Sequence, residues 1–210
     1  MVTPKPSLVI VAGPNGSGKT TLTRLVLRHE WAEGHVYINA DEIAEQELGG
    51  WNSLDAVRAA ARLADERRET CLAQRDNFTF ETVFSTPDRV RFIERAKAAG
   101  YFVRLYFVGT ADPMINVRRV HDRLEKGGHD VPPDKIEARY HRSNLNLQRA
   151  LPLVDRACVF DNSVENAPAV RWVRTRDGQI AKIALGRMPT WIEEAVTAPV
   201  PKLSLDGPDL

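Results

Sequence analysis

The chain has 210 residues, 43% apolar and 27% charged, with 29 Lys and Arg against 28 Asp and Glu. These globular averages exclude wholesale disorder, and a net charge of +1 argues against a generally basic nucleic-acid binder. Cys71 and Cys158 form no CxxC or Cys/His spacing, which leaves a zinc site or disulfide framework without support.

Leu8-Val9-Ile10-Val11-Ala12 is a continuous apolar run closed by Gly13 and Pro14. It predicts a central parallel strand covered on both faces, and it is too short for a signal sequence or membrane span. The chain therefore reads as soluble and cytoplasmic, with no membrane partner. A helix is predicted from Lys19 to Arg28 and a second strand at Val36-Tyr37-Ile38-Asn39. Ser53 caps a long helix to about Ala73, Phe78 to Thr82 is a third strand, and Pro87 opens a helix that Gly100 ends. Tyr101 to Val108 is the fourth strand. Asp112-Pro113 starts a helix to about Lys126, Gly127-Gly128 breaks it, and Pro132-Pro133 begins another that reaches Ala150. Ala157-Cys158-Val159-Phe160 is strand five. Val170 to Thr175 and Ile180 to Leu185 flank Asp177-Gly178, an antiparallel hairpin signal. From Pro189 the chain holds four prolines, which predicts a short docked turn around Trp191 and then a loose terminus.

Strands alternating with helices at this spacing imply right-handed crossovers and a mostly parallel sheet. At roughly 150 residues per domain, one elaborated domain is expected over residues 1–188. Its lid region would be about 112–150 and its hairpin about 170–186, followed by a proline-rich tail at 189–210.

Gly13-Pro14-Asn15-Gly16-Ser17-Gly18-Lys19-Thr20 matches G-x-x-x-x-G-K-[ST] and lies between a predicted buried strand and a helix, the context the motif requires. Glycines let backbone N–H groups converge on phosphate oxygens, and the helix N-terminus adds its positive end. Lys19 should reach the β- and γ-phosphates, and Thr20 should hold Mg²⁺. Thr21 extends this nucleotide-binding set. The fold class expected is thus α/β, a P-loop NTPase or kinase fold with a mostly parallel central sheet flanked by helices and a C-terminal antiparallel hairpin. No N-K-x-D sequence occurs, which favours ATP over GTP. A second acidic element could be Asp41 after strand two or Asp161 after strand five.

Parallel strands present their C-terminal ends to the ligand crevice, so Asp41, Glu81 and Asp161 sit near that rim. Two roles are open to Asp41. Its carboxylate could take the proton of an attacking hydroxyl, or it could cap the helix that Glu42-Ile43-Ala44 begins. Glu81 lies among apolar and aromatic residues and needs a substrate hydroxyl or an arginine as partner. Arg118, Arg119, Arg123, Arg139 and Arg142 concentrate around Gly127-Gly128-His129. They read either as an arginine-bearing lid, with about two of the five touching nucleotide, or as a solvated helix face. His129 after two glycines is a turn residue or a catalytic group.

The ordered set Gly13 to Thr20, Asn39-Ala40-Asp41, Phe80 to Thr86, Arg123 through Gly127-Gly128-His129-Asp130-Val131-Pro132, Arg139-Tyr140 and Asp161-Asn162-Ser163 resembles the zeta toxin family of P-loop kinases, over residues 8 to about 185. The resemblance implies an ATP- and Mg²⁺-dependent kinase that phosphorylates a hydroxyl of a UDP-activated amino sugar, typically UDP-N-acetylglucosamine. It also implies a toxin–antitoxin system, with a small helical antitoxin as partner. By similarity, Lys19 and Thr20 hold phosphate and metal, and Asp41 is the base. Glu81 helps bind the sugar alongside Asn39, Thr82, Ser85 and Thr86. Arg123 with Arg139 or Arg142 clamps the transferring group, and Arg119 and Arg142 join the nucleotide contacts. After Glu81 the sequence reads Thr-Val-Phe-Ser, where better-known members have a Gly-Thr type turn followed by a basic residue. Two other readings compete. One is a kinase for another small hydroxyl substrate such as a nucleoside, sugar or antibiotic; the other is a nucleic-acid end-processing P-loop protein, which the near-neutral charge and scarcity of aromatics disfavour.

Overall fold

The computed structural model describes residues 4–50, 53–125, 127 and 131–199, with Trp31 and Leu54 described in backbone only. Its centre is β1 (Ser7–Ala12), whose residues from Leu8 to Ala12 are fully withdrawn from water. Leu8, Ile10 and Ala12 enter the larger apolar cluster, while Val9 and Val11 pack on the opposite face with Leu22, Val26 and Val108. This two-sided burial is what a continuous apolar strand in a parallel sheet requires.

Around β1 run α1 (Lys19–Val26), β2 (Val36–Ile38), α2 (Ala40–Glu47), α3 (Leu54–Gln74), β3 (Phe78–Thr82), α4 (Asp88–Ala98), β4 (Phe102–Gly109), α5 (Pro113–Leu124) and α6 (Pro133–Ala150). The chain continues through β5 (Arg156–Asp161), β6 (Val170–Arg176), β7 (Gln179–Ile183) and α7 (Thr190–Thr197). The seven strands lie in the order β2-β3-β1-β4-β5-β6-β7, parallel through β5 and antiparallel beyond it. The expected α/β architecture and C-terminal hairpin are therefore present. Asp177 and Gly178 turn the hairpin with φ of 49° and 75°, the positive pair such a turn demands. The Ser53 hydroxyl accepts from the Asp55 and Ala56 amides at 3.2 and 3.3 Å, as a helix N-cap does.

Two segments differ from expectation. Residues 190–197, expected as a turn, form an eight-residue helix whose Trp191, Ile192 and Ala195 are buried in the main core. Proline at the N-cap position preorganises its start instead of preventing it. The helix α2 was expected only as an alternative role for Asp41, and its cap is Asn39, whose Oδ1 accepts from the Asp41 amide at 2.9 Å. The lid apex at Gly128-His129-Asp130 and residues 200–210 lie outside the described residues. Among the described residues, no helix is long and apolar enough to cross a membrane.

The connection from β3 to α4 is strained and pinned. Phe84 has φ of 64°, a left-handed conformation that bulky residues avoid at a cost of about 1–3 kcal/mol. Three contacts hold it: the Thr82 hydroxyl accepts from its amide at 3.1 Å, its ring is buried edge-on against Phe107, and Asn146 Nδ2 donates to its carbonyl at 2.9 Å. The same Asn146 amide also donates to the Thr86 carbonyl at 3.0 Å. We expect Asn146→Ala to destabilise the fold by about 1–3 kcal/mol, because buried carbonyls lose their donor. Denaturant unfolding should show this as a lower midpoint with an unchanged slope.

Candidate active site

The loop after β1 is shaped by glycines that tolerate no side chain. A Cβ at Gly13, whose φ is 148°, would strike the Val108 carbonyl oxygen. One at Gly16 would lie 2.6 Å from the Asn116 carbonyl oxygen, and one at Gly18 would lie 2.5 Å from Asn162 Nδ2. Gly18 occupies the cap position of α1 in a left-handed conformation, and no side chain satisfies the first amides of that helix. Those N–H groups and the helix dipole make an anion site. Ser17 Oγ is fully buried and has no hydrogen-bond partner among the described residues. This orphaned hydroxyl inside the cradle fits a phosphate oxygen.

Lys19 stands at the front of this loop, its Nζ 2.9 Å from the Pro14 carbonyl oxygen. Burial lowers its pKa to about 8; Glu81 and then Asp41 pull it back up, while Arg123 and Arg139 push it down. The same four side chains had been singled out from sequence as base, acceptor ligand and phosphoryl clamp, and the structure gathers their charges around one ammonium. Glu81 is held by two hydroxyls: Tyr37 donates to Oε1 at 2.8 Å, and Thr20 donates to Oε2 at 3.4 Å. Tyr37 was not anticipated. Burial first, and then the Glu81 carboxylate, raise its pKa far above the ordinary phenol, so it serves as a fixed donor. Asp41, with the cap supplied by Asn39, makes no hydrogen bond or ion pair through its carboxylate among the described residues and is exposed. Glu42 beside it was also missed. Its pKa is raised by burial and by Glu81, which adds a third carboxylate to this corner. Thr20, Glu81 and Asp41 offer the hard oxygen donors that Mg²⁺ takes.

A cavity of about 370 Å³ opens beyond Lys19, lined by Asp41, Glu81, Ser85, Thr86 and Arg139 among others. Asn39 and Thr82 also border it, and each makes an internal bond as well: Asn39 Nδ2 donates to the Tyr37 hydroxyl at 2.9 Å, and the Thr82 hydroxyl holds the Phe84 amide. On the other side of the loop a second cavity of about 400 Å³ is lined by Gly18, Thr21, Leu25, Arg119, Phe160 and Asn162. Asn162 fastens this side to the phosphate loop, donating from Nδ2 to the Ser17 carbonyl at 2.8 Å while its own carbonyl accepts from Arg119 at 2.8 Å. Asp161, a candidate acidic element, has a structural task instead. Its Oδ1 accepts from the Trp191 indole at 2.9 Å and from the Ser163 hydroxyl at 2.6 Å.

The five arginines separate. Arg123 and Arg139 act on Lys19, and Arg139 also reaches Asn15 Oδ1 at 3.4 Å. Arg119 borders the second cavity. Arg142 is exposed and adds to the effect of burial in lowering the pKa of Arg139, while Arg118 faces a separate surface hollow with Asp122 and Glu165. Asn116, unnoticed in the sequence, steadies the loop through a 2.5 Å bond from Nδ2 to the Asn15 carbonyl and a contact with the Thr110 hydroxyl. The lowered pKa of Lys19 sets a pH dependence. The ammonium that binds phosphate is lost as pH rises through about 8. Nucleotide affinity should therefore weaken above that pH with a limiting slope of about tenfold per unit. Calorimetric titration from pH 7 to 10 checks this, and Lys19→Arg should flatten the profile.

The sequence model for the zeta toxin family matches residues 2–168. An uncharacterized protein of Haemophilus influenzae is 29% identical over 132 residues, which are 63% of this chain and 91% of that protein. Among solved structures, the AvrRxo1-ORF1:AvrRxo1-ORF2 complex with sulphate ions aligns with a TM-score of 0.68 at 17% identity, over 97% of this chain and 66% of that chain. The same pair solved with ATP gives 0.66 at 18% identity over the same shares, 97% and 66%. The chain thus spans just under two thirds of the AvrRxo1 chain that it matches. The PezAT chromosomal toxin–antitoxin system of Streptococcus pneumoniae gives 0.62 at 18% identity, over 95% of this chain and 81% of that chain. With the family model covering most of its length and the P-loop architecture in place, this chain belongs to the zeta toxin family of P-loop phosphotransferases.

Proposed function

We propose that the chain is a kinase that uses ATP and Mg²⁺ to phosphorylate a hydroxyl of a UDP-activated amino sugar such as UDP-N-acetylglucosamine. In this reading it is one kinase domain with residues about 112–150 as its lid, and it acts as the toxin of a toxin–antitoxin pair whose partner is a small helical antitoxin. The observation that carries the reading is the convergence of Asp41, Glu81, Arg123 and Arg139 on Lys19, at the wall between the phosphate cradle and the 370 Å³ cavity. The neighbours solved with ATP and as toxin–antitoxin assemblies support nucleotide and partner.

The cradle amides, Ser17 and Lys19 bind the β- and γ-phosphates, while Thr21 and Arg119 border the space for the base. Asp41 accepts the proton of the acceptor hydroxyl as that oxygen bonds to the γ-phosphorus and the bond to ADP breaks. Glu81, oriented by Tyr37, accepts a hydrogen bond from the acceptor, and Ser85 and Thr86 complete its pocket. Lys19, Arg123 and Arg139 spread positive charge over the transferring group. Thr20 would hold Mg²⁺, which would supply further neutralisation of the phosphate charge.

ATP consumption measured with and without UDP-N-acetylglucosamine and related UDP sugars, with products weighed by mass spectrometry, tests this. We expect one added phosphate on the sugar and a rate about 10²–10⁴-fold lower in Asp41→Asn. Turnover indifferent to every UDP sugar overturns the acceptor; a wild-type rate in Asp41→Asn overturns the base.

A further inference from the structure

The net charge of +1 conceals an uneven distribution. On one face of the sheet α1 packs Leu22 and Val26 over Val9, Val11 and Val108. Further out on that face, toward β7, the side chains become cations. Arg104 of β4 stands in register with Arg156 of β5, and Arg156 with Arg176 of β6. One row on, Tyr106, Cys158, Arg174 and Lys182 align across β4 to β7, and beyond them Val108, Phe160 and Arg171 align across β4 to β6. Residues in register share a face, and alternation turns Leu105, Phe107, Ala157, Val159 and Val173 into the core beneath. Six cations therefore stand on one side of four strands, with no aspartate or glutamate in these rows. Four of the six, Arg171, Arg174, Arg176 and Lys182, are exposed and lie after residue 168, where the match to the family model ends.

Cations opposite one another on neighbouring strands repel, and the protein does little to offset them. Among the described residues, none of Arg156, Arg171, Arg174, Arg176 and Lys182 forms an ion pair. Asp155, the carboxylate that bears on Arg104, is taken by Lys97 at 2.6 Å and by the Val103 amide at 2.8 Å. Aromatic rings are interleaved with the charges. Tyr106 and Phe160 stack with centroids 6.4 Å apart, and Trp172 shares a hollow of about 370 Å³ with Arg171, Arg174 and Lys182. Guanidinium groups match carboxylates and phosphates alike, so charge alone would suit an acidic polypeptide equally well. The rings favour a partner that carries bases to stack, and a sheet face accepts a single strand whose bases are splayed out.

We infer that this face of β4 to β7 binds single-stranded nucleic acid, with Arg156, Arg171, Arg174, Arg176 and Lys182 on its phosphates and a base in the hollow beside Trp172. None of these five cations lines either cavity beside the phosphate loop, so the inference stands apart from the kinase reading. Fluorescence anisotropy of a labelled oligouridylate about twelve nucleotides long tests it, with and without a non-hydrolysable ATP analogue. Wild type should bind equally in both conditions. Raising salt from about 50 to 200 mM should weaken binding roughly 20–50-fold, the counterion release of three or four single-strand phosphates. Arg174→Gln with Arg176→Gln should weaken binding about tenfold or more and reduce the salt slope by about 1.4, while affinity for the ATP analogue stays unchanged. Lys182→Glu, on the exposed outer strand, should also weaken binding, and it decides the matter if the double variant fails to fold. No binding by wild type, displacement by the ATP analogue, or unaltered affinity in the folded variants overturns the site. Equal competition by polyglutamate of the same length overturns the assignment to nucleic acid.

Discussion

A buried lysine ammonium at the first position of α1, beyond the phosphate loop that follows β1, is the constraint on which the rest of this site depends. Burial alone would drive Lys19 toward its neutral form, and neutral it could not bind phosphate. Two carboxylates oppose that tendency, and they come from different elements: Glu81 from the end of β3 and Asp41 from the first turn of α2. The sheet order makes their meeting possible. With β3 directly beside β1 and β2 beyond it, the C-terminal ends of these strands share one rim. Helices α5 and α6 complete the balance with Arg123 and Arg139, which disfavour the proton on Lys19. An arriving polyphosphate reverses this competition, because it satisfies all three cations together.

Much of this was legible because each signal had a local physical cause. The phosphate loop announces itself through glycines that the structure shows to be sterically obligatory, and Ser53 and Asp177-Gly178 mark a cap and a turn by chemistry that acts within a few residues. The placement of Asp41 and Glu81 at the rim followed from strand polarity alone. What escaped reading depends on contacts distant in sequence. Tyr37 looked like a strand aromatic until Glu81 stood opposite it, and the cap that Asn39 places on α2 went unread beside its expected role toward the substrate. The proline count after Pro189 suggested looseness, whereas Trp191 and Ile192 had a core to enter.

The strained turn at Phe84 shows how the acceptor side is built. A glycine would adopt its φ freely, so a phenylalanine there exchanges backbone ease for a buried ring against Phe107. Helix α6 then supplies the compensating hydrogen bonds through Asn146, and the same helix carries Arg139 to the phosphate loop. The connection after β3 and the phosphate loop are thus both fastened to α6.

The bond between Trp191 and Asp161 has a further consequence in the order of synthesis. The loop at 161–163 borders the 400 Å³ cavity and grips the phosphate loop through Asn162, yet its aspartate is anchored by an indole thirty residues further along the chain. Gly109 leaves the space in which that indole lies, since a Cβ there would come within 2.6 Å of the ring. While the chain is emerging from the ribosome, strands β1 to β5 precede the residue that anchors one wall of this cavity. The bond that steadies this wall therefore forms only after α7, the last described helix, has been made and has docked.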